Sequence, residues 1–366
     1  MSIVSIVIRL IRKKERNSLS ILFIVFFSSI GFTQTHLPDE MHQAVLSVID
    51  KVYNENFQEA EEDVRRIIKR YPDHPAGYFF MAVVLDAWMN FYQTNSKESE
   101  FYRYCDLAIE KGEKLLEKNG SGTDDWIRFF IGGADGYKGT FEARYERWIT
   151  AFRFGWKGVS VLLNLEKKKS SIVDVNYGIG SYDYWRSAMI KVIWFMPKVE
   201  DRRQKGILRL YDARMHGIYT KNSASAALID ILLNESRFND ALQIANELEK
   251  MYPNCTLAKW GQAKALFGIK EYTKSANIFN EILNKVESAS VDNHYNAALC
   301  HLWLAKIELA KGNYTEAVAQ CNRMSYYEFE DQIRKRLEKP LNEAAGIKKQ
   351  AISKSGRNFD STLQNK

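Results

Sequence analysis

Between residues 38 and 350 the apolar positions recur at helical spacing, in paired runs separated by short polar breaks. The clearest pair is Asn222–Pro253. Leu228, Ile229 and Leu232 form one stripe of a first helix, and the polar residues Asn234–Arg237 break it. Phe238, Ala241, Ala245 and Leu248 then line a second helix, which Tyr252-Pro253 stops. The small side chains of Ala241 and Ala245 let the two helices approach closely. One such hairpin cannot bury its apolar face alone, so neighbours of the same kind are required.

The same layout recurs along the chain. Met41–Pro72 repeats it, with Phe57 and Ala60 at the turn and small positions and Tyr71-Pro72 at the end. Pro75–Asn95 pairs with Ser99–Glu117, Trp126–Lys138 with Phe141–Leu165, and Ile172–Phe195 with Asp201–Gly217. Beyond Pro253 the spacing becomes regular. Phe238 to Tyr272 and Ala241 to Ser275 are 34 residues each, and Tyr272 to Tyr314 and Ser275 to Ala317 are 42 each. Two further hairpins, Thr256–Leu283 and Ala298–Met324, follow from that frame. Ser325–Gln350 reads as one amphipathic helix containing Pro340, and 351–366 as a polar, disordered tail.

The aromatic turn residue, the small residue three positions later, the terminal proline and the 34-residue period together resemble the tetratricopeptide repeat. The resemblance implies an all-α, right-handed solenoid of about seven hairpins plus a C-terminal helix. Residues 38–221 would be divergent, aromatic-rich hairpins, 222–324 regular repeats, and 325–350 a capping helix. Tyr177-Gly-Ile-Gly-Ser-Tyr-Asp-Tyr-Trp185, then Pro197 and Asp201–Leu210, resemble the centre of exported bacterial repeat proteins of unassigned function, and more distantly a eukaryotic repeat family tied to inclusion-body clearance. Neither likeness supplies catalytic residues.

Charge changes the picture only after it is divided. The formal net charge is +7, of which residues 1–33 contribute +4 and 331–366 contribute +5, leaving −2 on 34–330. The folded body therefore lacks the basic signature of a nucleic-acid partner. The basic cluster Arg9–Arg16, the apolar run Leu19–Ile30 and the small, polar residues Gly31–Thr35 have the layout of a secretory signal peptide. That run is shorter than the roughly 20 residues that span a bilayer. An exported protein of the periplasm or cell envelope, starting between Phe32 and Thr35, is expected. An uncleaved 1–33 anchor is the alternative, and membrane contact would then run through that segment alone.

Little else in the chain points to chemistry. Cys105, Cys255, Cys300 and Cys321 show no zinc-ligand spacing, and read either as small core hydrophobes or, for Cys300 and Cys321, as a disulfide within one hairpin. Gly178-Ile-Gly180 lacks the third glycine and the preceding strand of a dinucleotide loop, and suits close helix packing. Asp124/Asp125 fit helix capping, while Asp174/Asp183 are a carboxylate pair whose separation sequence does not give. Glycoside hydrolysis would need roughly 5–10 Å. His294 and His301 are too far apart for an i,i+4 metal pair. No metal or cofactor is called for.

The reading that follows is a non-enzymatic scaffold binding a protein or peptide. Its alternatives are a carbohydrate-binding protein or enzyme using the aromatic middle, and a membrane-tethered adaptor. In the repeat geometry the first helix of each hairpin lines the concave face, which places Asp230, Leu233, Trp260, Lys264, Phe267 and Lys306 near a groove. Tyr182 and Trp185 join them as aromatic candidates. Repeats coupled only to their neighbours would also leave Met41–Pro72 insulated from changes in 222–324.

Overall fold

The structure, a computed structural model, describes residues 36–119, 125–189 and 200–364, without the side chains of 119 and 356–364. The expected signal segment, the Gly120–Asp124 turn and Met196-Pro197 lie outside the described residues.

Fifteen α-helices and no strand occur among the described residues. They form seven hairpins: α1 (Asp39–Tyr53) with α2 (Phe57–Arg70), α3 (Pro75–Tyr92) with α4 (Glu98–Asn119), α5 (Asp125–Arg144) with α6 (Trp148–Lys167), and α7 (Val175–Met189) with α8 (Arg203–His216). These are followed by α9 (Lys221–Asn234) with α10 (Phe238–Met251), α11 (Thr256–Gly268) with α12 (Tyr272–Glu287), and α13 (His294–Lys311) with α14 (Tyr314–Arg323). A 3₁₀ turn, Met324–Tyr326, leads to α15 (Asp331–Gln364). The last helix thus continues well past Gln350, through the polar stretch expected to be disordered.

Within five hairpins the turn is built the same way. Glu55, Glu146, Ser236, Lys270 and Gly312 all have left-handed φ, between 56° and 83°, and each lies two residues before the first residue of the second helix. That residue is Phe57, Trp148, Phe238, Tyr272 or Tyr314, so the aromatic marks where the chain re-enters helix after a reversal. The small residue three positions later is buried at Ala60, Ala151, Ala241, Ser275 and Ala317. Ser275 replaces alanine because its hydroxyl donates to the Ala263 carbonyl at 2.7 Å, satisfying a polar group in full burial.

Closer approach is needed in the third and fourth hairpins, where glycine meets glycine. A Cβ on Gly158 would lie 2.5 Å from the Gly132 carbonyl oxygen, and one on Gly206 would lie 2.6 Å from that of Gly180. Gly180 is thus a packing residue, and Gly178 abuts Leu162. The aromatic middle is mostly interior: Trp126, Phe129, Phe130 and Phe141 are buried, as are all four cysteines, which are free thiols. Burial pushes every one of those thiols up, Cys255 to about 11.

The solenoid also curls back on itself. The Glu55 carboxylate accepts from the Thr256 backbone N–H at 2.6 Å and from the Thr256 hydroxyl at 3.0 Å, and pairs with Lys285 at 2.6 Å. The N-cap of α11, Cys255, makes no side-chain capping bond, so a residue of the first hairpin stabilises the start of the eleventh helix. The reverse arrangement occurs at α3. Asn293 and Asn296 donate to the Phe91 carbonyl at 2.8 and 2.9 Å, and Arg336 reaches the Gln93 backbone and side chain. The Tyr252 hydroxyl donates to Asp50 and accepts from Asn222, both at 2.7 Å. The first hairpin is therefore not insulated from 222–324, contrary to the nearest-neighbour expectation.

Two outcomes are expected. Tyr252→Phe removes both hydrogen bonds and leaves buried Asn222 without that partner, a cost of about 1–3 kcal/mol. Amide exchange should then quicken in 39–70 as well as in 221–287; acceleration confined to 221–287 would mean the two ends are uncoupled. The second concerns acid. His301 is buried, bonded to Gln320 at 2.7 Å and Tyr327 at 3.1 Å, and desolvation holds its pKa below 6.5. The unfolded chain then takes up more protons on acidification, so this contribution is complete above pH 6.5 and declines as pH falls toward the folded-state value. His42, lowered by burial and by His36, acts in the same sense. The melting temperature should fall between pH 7.5 and 5.5, and less steeply in His301→Gln.

Candidate functional site

The first helices of hairpins five to seven bring five of the expected groove residues together. On α11, Lys264 Nζ lies 5.4 Å from the centroid of the Trp260 ring. Trp260 meets Phe279 of α12 edge-on at 5.5 Å, and Phe279 stacks on Trp303 of α13 at 5.5 Å with 12° between planes. Phe267 packs against the same Trp303 at 5.3 Å. Lys306 Nζ sits 4.2 Å over Trp303 and 2.8 Å from Glu343 of α15. The result is an aromatic strip carrying a cation over each tryptophan, an arrangement in which desolvation strengthens the cation–π attraction.

Asp230 of α9 borders this strip. Its side chain keeps solvent access, yet desolvation holds its carboxyl above the ordinary range, opposed by the charge of Lys264. Accessible surface together with desolvation describes a group that faces water but is walled by protein on most sides. Leu233, one turn further along α9, packs on the apolar cluster formed by residues 184–265.

Tyr182 and Trp185 lie elsewhere. Tyr182 packs 6.2 Å from Trp156 of α6, with Arg186 above it at 5.9 Å. Trp185 is 40% exposed beside Tyr184. Trp303 was not among the expected groove residues. Asp230, Lys264 and Lys306 each fall eleven residues before the small position of their own hairpin. Trp260 falls fifteen before and Trp303 fourteen, so a strict frame admits the one and passes over the other. The signal that finds it is its spacing from Lys306, three residues along the same helix face.

Around the first hairpins, tyrosines fill the space between first helices. Tyr53 of α1 donates to Ser223 of α9 at 3.2 Å, and Tyr137 of α5 reaches the same hydroxyl. Tyr177 of α7 is desolvated beside them, its phenol pushed up to about 12. The buried Asp86 pairs with the half-buried Arg144 at 3.0 Å, the arginine reaching both carboxylate oxygens.

The carboxylates weighed for catalysis have structural partners. Asp174 is buried and accepts from the N–H groups of Ile218, Tyr219 and Thr220 at 2.7–2.9 Å, fixing the approach to α9. Asp183 is buried against Arg202 at 3.8 Å and Arg209 at 4.0 Å. A cleft of about 180 Å³ lies between Phe57, Glu61, Trp88 and Lys97, below the roughly 300 Å³ at which small-molecule sites begin.

Paired helices stacked in register define a helical-repeat protein. A family model described as tetratricopeptide repeat matches residues 227–290, from within α9 to just past α12, so the chain carries tetratricopeptide repeats. Among solved structures, yeast Tom70 is similar at 10% identity over 88% of this chain and 85% of that one, with a TM-score of 0.36. The P58(IPK) TPR domain is similar at 15% identity over 85% and 99%, with a TM-score of 0.27. At those scores neither likeness bears on function. No curated protein matches the chain.

Removing the charge of Lys264 while keeping its stem tests the electrostatics of the strip. In Lys264→Met the carboxyl of Asp230, followed by NMR titration, should titrate higher than in the parent, because the positive charge that opposes its desolvation is gone. An unchanged titration would place Lys264 too far from Asp230 to act.

Proposed function

We propose that this chain is a non-enzymatic scaffold of the cell envelope that binds an extended protein segment along the α9–α11–α13 strip. The observation that carries the reading is the repeated pairing of lysine with tryptophan, Lys264 over Trp260 and Lys306 over Trp303, on the first helices of adjacent hairpins. Aromatic anchors set among partly accessible cations suit a peptide with apolar side chains flanked by carboxylates. Lys306 is already paired with Glu343, which leaves Lys264 as the stronger attraction for an incoming acid. The envelope location rests on the sequence of 1–35, a basic cluster followed by a short apolar run. The structural roles of Asp174 and Asp183 support a binding role over hydrolysis.

The test is affinity capture from an envelope fraction with the parent, Lys264→Glu and Trp303→Ala, each checked for an intact melt, and with Glu62→Lys on the exposed face of α2 as control. A partner kept by the parent and the control, and lost by at least tenfold in the Lys264 variant, supports the reading. Equal capture by all four proteins would remove the strip as the binding surface.

A further inference from the structure

The second helices of the third and fourth hairpins expose apolar side chains, and α8 carries Leu208 and Met215, but only α6 sets them beside an aromatic pair and a row of cations. On α2 every exposed position is polar or charged, among them Gln58, Glu62, Arg65, Arg66 and Arg70. On α6 the exposed positions include Ile149, 73% exposed, and Trp156, 55% exposed, seven residues apart and therefore on one stripe. Arg153 lies between them on the same face, Lys157 follows, and Lys167, Lys168 and Lys169 lie at and just past the helix end, all exposed. The one acid within α6, Glu166, is taken up by Arg209 of α8 at 2.7 Å, and Arg147 before it by Glu98 and Glu142. Tyr182 packs on Trp156 and brings Arg186 to the same patch. Lys157 pairs with the buried Asp135 of α5 at 3.1 Å, and Glu146 is exposed just before the helix, so Arg153, Arg186 and the lysines at 167–169 carry the excess charge.

From this we infer that the outer face of α6 docks on an anionic phospholipid surface. Tryptophan and tyrosine favour the interface between headgroups and acyl chains, isoleucine supplies apolar depth, and cations above them meet lipid phosphates. The charge is what selects this occupant: the patch has an excess of basic side chains, which an acidic surface complements and a neutral one does not. No described helix is long and apolar enough to cross a bilayer, so the contact is peripheral. This surface is distinct from the α9–α11–α13 strip and does not depend on it.

The four native cysteines are buried, so a cysteine introduced at an exposed position takes a label selectively. The experiment uses the full chain with Ile149→Cys carrying a nitrobenzoxadiazole dye, mixed with vesicles of neutral phosphatidylcholine or of phosphatidylcholine with 30% phosphatidylglycerol (roughly the anionic content that gives a strong surface potential). A second protein carries the dye at Glu62→Cys on α2, because residues 1–33 by themselves could hold the chain on a vesicle. The expected result is a blue shift and brightening at 149 with anionic vesicles, absent with neutral ones and absent at 62. Arg153→Ser with Lys168→Ser should weaken the response about fivefold for each cation removed. No shift at 149, an equal shift at 62, or an equal shift on neutral vesicles would overturn the proposal. So would a shift that appears without vesicles as protein concentration rises, which would assign the patch to a second copy of the chain.

Discussion

The carboxylate of Glu55 is where the two halves of this molecule are joined. It is itself the left-handed residue of its turn, and it supplies the start of α11 with the hydrogen-bond acceptor that Cys255 does not provide. Burial penalises its charge and raises its pKa, while Lys285 and Thr256 act to keep it ionised. A carboxylate taken from water is tolerated only where such partners surround it. Here they come from α11 and α12, about 200 residues away in the chain, so the charge of Glu55 is stabilised only when the solenoid has curled through nearly its whole length.

The complementary contacts at α3 make the closure reciprocal. The last carbonyl groups of any helix lack partners within it. At α3 they are met by Asn293, Asn296 and Arg336, from α13 and α15. Each half of the solenoid thus satisfies a helix end belonging to the other. The tyrosines that meet at Ser223 consolidate the same approach from inside.

The hairpins were legible in the sequence because their signals are local. An aromatic, a small residue three positions on and a stop recur at a fixed period, and each reflects one contact within a hairpin. The lysines at equivalent positions could be placed for the same reason. The closure left no such trace: Glu55 reads as one polar turn residue among several, and Asn293 and Asn296 as part of a loop. Their roles depend on a partner some 200 residues away, which periodicity does not encode. Trp303 was missed because a rotation of one residue, 100° on a helix, still lets so large a ring reach the strip. The glycine contacts at Gly158 and Gly206 depend on backbone separation, a quantity that composition hints at without fixing.

The reciprocal caps also set an order of events during synthesis. The ribosome delivers the chain from its N-terminus, and α1 to α3 emerge and pair long before their distant partners exist. Throughout that interval Glu55 and the final carbonyls of α3 face water. Asn293 and Asn296 arrive more than 200 residues after Phe91. The entropy of closing so long a loop grows only slowly with its length, so the delay is mainly one of translation. The contacts that cap α3 are therefore unavailable until α13 and α15 have been made.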